Sequence, residues 1–273
     1  MTTRTFLVHG LLAGLLAGVA AFVVAYTVGE PQVDKAIALE AVSDSEAAGA
    51  PASDGHDQTL TGSSDSDESA GHSHGDEAVV SRTTQSTLGL ATGTLALGVV
   101  LGGFTGLLAA AGLGRLGGLR PAASTALVAL LAAVSFSVVP FLKYPATPPA
   151  VGSGETIDSR TAVYFGFLAV SVLGVLAAVA VARRAARRWA AVPGVLAGAA
   201  TYVVVAAVAA LAFPKIDELG SFPASILWDF RIASLLTLVA MWVVIGAALT
   251  ALVDRTWRQH SAVRARKELA ASL

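Results

Sequence analysis

The chain has no cysteine, so it carries no disulfide framework, no thiolate metal site and no thiol redox chemistry of its own. Charge is scarce as well: 14% of the 273 residues are Asp, Glu, Lys or Arg, against 55% hydrophobic and a mean hydropathy of +0.69. A soluble domain of this size needs more polar surface than that, and membrane spans are the direct reading. No phosphate-binding loop, no HExxH helix and no nucleophile with a matching base occurs, so the chain is not expected to be an enzyme or to hold an organic cofactor. No carboxylate falls near the centre of an apolar run, which argues against a proton pump built on an acidic relay. The basic residues are placed for topology rather than along a nucleic-acid footprint, and no nucleic-acid partner is expected.

What is present is a series of apolar runs. Phe6 to Val28 is long enough at 1.5 Å per residue to cross a hydrocarbon core of ~30 Å, and it reads as a retained helix rather than a cleaved signal. Five more follow: Thr87 to Ala111, Ala122 to Leu142, Thr161 to Ala182, Pro193 to Phe213 and Phe230 to Val253. The expected fold is an all-α integral membrane protein of six transmembrane helices. Gly10, Gly14 and Gly18 recur every four residues in the first run, the small-residue ridge that lets a second helix approach closely in lipid.

The connections alternate in charge. Arg4, Arg115, Arg120, Arg183, Arg184, Arg187, Arg188, Arg255, Arg258, Arg264, Arg266 and Lys267 fall on one side, which becomes cytoplasmic by the positive-inside rule. Both termini are then expected inside, in a multi-pass protein of a bacterial or archaeal-type cell membrane. The other side holds seventeen of the nineteen carboxylates, giving net charges of -11 outside and +10 inside. Such a face concentrates cations at its mouth.

Most of those carboxylates lie in one segment, 29–84, which has twelve against two basic residues and three of the five histidines. It reads as an acidic outer loop, largely disordered, because its centre is Gly, Ser, Asp and Ala with too little apolar surface to offset ordering. The remaining divisions are 1–28 for the first span, 85–254 for the other five with outer loops at 140–160 and 214–229, and a basic tail at 255–273. Within the acidic loop, His72-Ser73-His74 is followed by Asp76 and Glu77, and His56-Asp57 comes earlier. Residues two apart face the same way in an extended chain, so both imidazoles can meet one cation while a carboxylate completes the set. His56, Asp57, His72, His74, Asp76 and Glu77 are therefore the candidate metal ligands. Co(II), Ni(II) and Zn(II) all accept such donors.

Each outer connection also repeats a pattern: a Lys near a Pro after the entering helix, and an Arg where the next helix starts. The pairs are Lys35 with Arg82, Lys143 with Arg160, and Lys215 with Arg231, which suggests three helical hairpins in parallel orientation. An Arg at an outer helix start opposes the helix dipole and needs a partner. Asp158, Asp229, and Asp76 or Glu77, each shortly before one of these arginines, are the expected ones, bonding across neighbouring hairpins. The second connection, Pro140 to Gly152, has four prolines within ten residues; with Tyr144 near its centre it is a candidate gate over an outer vestibule.

Three stretches resemble the CbtA family: Pro-Phe-Leu-Lys-Tyr-Pro-Ala-Thr-Pro-Pro-Ala-Val from Pro140, Arg-Thr-Ala-Val-Tyr-Phe from Arg160, and Phe-Pro-Ala-Ser-Ile-Leu-Trp-Asp-Phe-Arg-Ile-Ala-Ser from Phe222 to Ser234. The similarity runs from the first span to the sixth. It implies the membrane subunit of a cobalt transporter associated with vitamin B12 metabolism, with cobalt or another divalent transition metal as the transported ion. It also implies a small single-span partner, CbtB, besides membrane lipid. It carries no agreed set of metal-binding residues. A non-transporting scaffold or metal-sensing subunit is the alternative, kept open by the lack of charged ligands within the spans.

Overall fold

A computed structural model of the chain describes residues 2–49, 81–116, 118–149, 151–152 and 154–272. The six expected spans are present as helices, each long and apolar enough to cross a membrane: α1 (Thr3–Val42), α2 (Arg82–Gly112), α3 (Pro121–Lys143), α4 (Gly154–Arg188), α5 (Ala191–Ala212) and α6 (Ala224–Ala271). No strand occurs among the described residues. In lipid only an all-helical or closed-barrel backbone satisfies its own hydrogen bonds, and runs of Leu, Ala and Val choose the helix. The ends carry the expected signals. Thr2 caps α1 by accepting from the Thr5 amide at 3.3 Å, Ser81 does the same for α2 from Thr84, and Pro121 opens α3. A GxGxxG spacing begins at Gly112, but a helix precedes it rather than the strand that a dinucleotide fingerprint needs.

Four helices form the body of the bundle, with α1 against α2 and α6, and α3 against α6. The glycine ridge explains the tightest of these contacts. Gly10, Gly14 and Gly18 face Gly98, Gly102 and Gly106, and a Cβ built on Gly98 would reach the Gly18 nitrogen at 2.8 Å. The two backbones therefore touch, and dispersion and weak Cα–H contacts replace side-chain packing there. Beyond the ridge, Phe6, Ala13, Val128, Leu249 and Val253 make one core cluster, and Ala17, Ala21, Met241, Trp242 and Ile245 another.

The remaining pair, α4 and α5, packs on itself as a peripheral hairpin. Gly194 and Gly198 of α5 sit close to Ala178, Ala182 and Ala186 of α4. Helix α5 touches little else, and Val195, Leu196, Val203, Val204, Val208 and Leu211 stay exposed, as a lipid-facing helix requires. Side-by-side packing therefore does not follow the three connections of the sequence repeat. Of the three pairs joined by those connections, only α1 and α2 pack along their length. Helices α3 and α4 meet mainly at one end, and α5 and α6 make at most a glancing contact.

Two boundaries differ from the sequence expectation. The first helix does not end at Val28: it passes through a π-helical turn at Ala25–Gly29 and continues as Glu30–Gly49, so the start of the acidic segment is helical. Ala36 there is fully buried and the extension packs against α6, which pays for ordering it. At the other end, the basic tail is a continuation of α6 to Ala271, with Arg258 bonded to Asp254 one turn away at 2.7 Å.

Candidate functional site

Two further π-helical turns, Gln85–Gly89 and Val134–Val138, lie in α2 and α3 near the same end of the bundle as the first. Prolines explain two of the three. A proline cannot donate to the carbonyl four residues back and its ring collides with it, so a widened turn before Pro31 and before the buried Pro140 relieves the clash. Widened turns also leave room beside the helix, and a cavity of about 430 Å³ opens where they meet. Ala25, Gly29 and Glu30 of α1, Leu90 of α2, Ser137 of α3, and Ser234 and Thr237 of α6 line it, with Tyr144 and Tyr164 on the side of the peripheral hairpin.

Glu30 is the carboxylate of this cavity, and its side chain is only 13% exposed. The Arg82 guanidinium reaches it with Nη2, and the same group donates from Nη2 to Asp34 at 2.9 Å and from Nε at 3.2 Å. Asp34 lies one helical turn beyond Glu30 and is 65% exposed, so one guanidinium straddles an inner and an outer carboxylate. Of the Ser and Thr residues in the spans, Ser137, Ser234 and Thr237 reach the cavity. Ser135 instead offers its carbonyl, freed by the π turn, to Ser171 at 2.9 Å, which ties α4 to α3.

A second cavity of about 440 Å³ adjoins the first and shares Tyr144, Ala146 and Tyr164 with it. Its charged lining is Lys143, Arg160 and Arg231 against Glu218. Arg160 pairs with Glu218 at 3.3 Å, and Arg231 Nε lies 3.4 Å from the Ala146 carbonyl. Lys143 donates to the Ala210 and Phe213 carbonyls at 2.7 and 3.1 Å, closing the C-terminus of α5 where the helix dipole favours a cation. Tyr144 donates to the Pro214 carbonyl at 2.8 Å and stands edge-on to Phe167, which stands edge-on to Phe213. Burial pushes the Tyr144 phenol above its ordinary range. The proline-rich connection is thus pinned to the loop after α5. Lys143→Met, which leaves two helix-end carbonyls without their charged donor, should cost about 2 kcal/mol. It should also speed hydrogen exchange at 209–214, read by mass spectrometry.

The expected outer residues separate into two groups. Arg160, Arg231, Lys143 and Tyr144 gather around the second cavity, whereas Arg82 sits apart with Glu30 and Asp34. The expected partners are corrected: Asp158 and Asp229 are exposed and form no ion pair among the described residues. Glu218, from the loop after α5, pairs with Arg160, the Ala146 carbonyl faces Arg231, and Glu30 and Asp34 of α1 pair with Arg82. The i, i+4 spacing of Glu30 and Asp34 was the available signal. His56, Asp57, His72, His74, Asp76 and Glu77 lie outside the described residues. Among the described residues no group of three or more His, Asp or Glu is placed to hold a metal.

A family model described as a probable cobalt transporter subunit (CbtA) matches residues 3–254. The chain belongs to the CbtA family. No curated protein and no solved structure matches it. Membership and six membrane-capable helices agree on a membrane-embedded transporter subunit, and "subunit" in the family's description implies that a CbtA protein works with a partner. Both cavities lie in the matched region.

Proposed function

We propose that this chain is the membrane subunit of a divalent-metal, specifically cobalt, uptake system in the cell membrane, with both termini in the cytoplasm. The acidic outer segment, through His56, Asp57, His72, His74, Asp76 and Glu77, collects cations, and the bundle passes them inward. A small single-span CbtB-like subunit completes the transporter. The observation that carries this reading is Glu30, a largely buried carboxylate in a cavity among membrane-spanning helices. A carboxylate there is costly to keep, and ion paths are where such groups are kept. The neighbouring cavity is net cationic and unsuited to a bare cation, which directs the ion to the first. Arg160 with Glu218 and Lys143 with Tyr144 hold the peripheral hairpin beside that path.

Cobalt accumulation in cells making the chain with its single-span partner, against cells lacking the chain, tests the proposal. Uptake that is unchanged without the chain refutes it. Deleting 49–75 should lower uptake several-fold at scarce cobalt and little at abundant cobalt, because carboxylate and imidazole donors outside the bundle raise local cation concentration without forming the path. Membrane abundance of the deleted form, measured by immunoblot, should match the intact chain.

A further inference from the structure

We infer that Glu30 is a cation-binding site inside the bundle and that Arg82 is its built-in competitor, a tethered guanidinium that an incoming divalent cation displaces onto Asp34. The inference rests on the transport reading above and names the site within it.

Three features of the cavity carry it. The first is charge: Glu30, Asp34 and Arg82 sum to one net negative charge, so the site still attracts a cation while the guanidinium is in place. The second is the geometry of the bridge. Arg82 makes two of its bonds to the exposed Asp34 and one to the inner Glu30. It can release Glu30 without losing its anchor, and the group that leaves is singly charged while the one that arrives is doubly charged. Displacement needs only a small motion of a long side chain near the mouth.

The third is the state of the hydroxyls. Ser234 and Thr237 donate their protons to the Phe230 and Ala233 carbonyls one turn back, at 2.9 and 3.0 Å, and Ser137 accepts from the Trp242 ring at 2.7 Å. With their protons spent, Ser234 and Thr237 present oxygen lone pairs only, which suits a partly hydrated cation and not an anion. One carboxylate and a few neutral oxygens make a weak site, as conduction requires, whereas a full set of protein ligands would trap the ion.

The test is cobalt(II) binding to the full chain in lipid nanodiscs, read by quenching of tryptophan fluorescence in a Trp228→Phe background. The tryptophan next to the cavity is then Trp242, through its bond to Ser137. Glu30→Gln should raise the midpoint of the Trp242 signal by at least about tenfold, the usual scale for losing a group that shapes a metal site. Arg82→Gln should lower it: if the guanidinium leaves Glu30 open about a tenth of the time, removing it gains about tenfold. The double variant Glu30→Gln/Arg82→Gln should bind as weakly as Glu30→Gln, and it stands in if the single variant does not fold. An unchanged midpoint in the Glu30→Gln and double variants, or weaker binding in Arg82→Gln, overturns the inference, as does the absence of saturable quenching in every variant. Cobalt uptake by the intact chain together with any of those results would leave transport standing by another path.

Discussion

Gly102→Val should remove most folded protein from the membrane. A Cβ at this position would lie 2.7 Å from the Gly14 nitrogen, and its other close neighbours are also backbone atoms of α1. No side chain can swing away, so two helices in contact along their length must part. Overpacking of a core that can adjust costs about 1–3 kcal/mol, and a backbone clash at the bundle's most extensive interface belongs at or above the upper end. Because net stability is itself only about 5–15 kcal/mol, the variant should show a sharply lower Tm in detergent and low abundance in membranes. Gly93→Ala in the same helix is the control. Nothing lies within 4 Å of the added methyl there, and replacing a helical glycine favours the helix by about 1 kcal/mol, so Tm should stay level or rise.

Glu30→Gln should reduce cobalt uptake at least tenfold while leaving the amount of folded protein within about twofold, a transport effect of more than about 1.4 kcal/mol. The two readouts separate because Arg82 keeps its Asp34 bonds when Glu30 is neutralised, so no buried guanidinium is stranded. Glutamine fills the same volume and retains an oxygen acceptor. What it lacks is the full negative charge that offsets a divalent cation's loss of water, a penalty that neutral oxygens repay poorly in a low-dielectric bundle. Uptake measured beside an immunoblot of membrane abundance distinguishes this from unfolding, which would lower both together.

The comparison with Gly102 also shows what could be read from the chain alone. All six spans were legible, because an apolar run of membrane length is a local signal and lipid permits few alternatives. The Gly10, Gly14 and Gly18 ridge was legible by its spacing, although its partners on α2 were not, since spacing names a face and not the helix opposite. The continuation of α1 past Val28 was hidden by composition: Glu30, Asp34 and Glu40 interrupt the apolar run, and only the packing of Ala36 against the rest explains why the helix persists. Charge pairing was least legible. Arg82 finds Glu30 across 52 residues, and Arg160 finds Glu218 in a different connection, whereas the acids nearest the second and third arginines in sequence, Asp158 and Asp229, form no ion pair among the described residues. Such partners are chosen by which loops the bundle brings to one end, and no sequence window contains that choice. The repeat of Lys and Arg around three prolines likewise marked where helices turn, yet Lys143 closes a helix end, Arg160 and Arg231 line one cavity, and Arg82 pairs with Glu30 and Asp34 of α1.

Glu30 also bears on the reading of the chain as a mere metal-binding anchor. That alternative draws its support from the lack of charged groups near the centre of the spans; Glu30 lies just past the first apolar run, in a cavity also lined by Ser137, Ser234 and Thr237. The direct comparison is cobalt flux into proteoliposomes holding the purified chain and its single-span partner, followed with a metal-sensitive dye in the lumen. A transporter gives saturable entry that falls at least about tenfold in Glu30→Gln; cobalt that binds the protein but never reaches the lumen would contradict transport and leave a sensor or scaffold in its place.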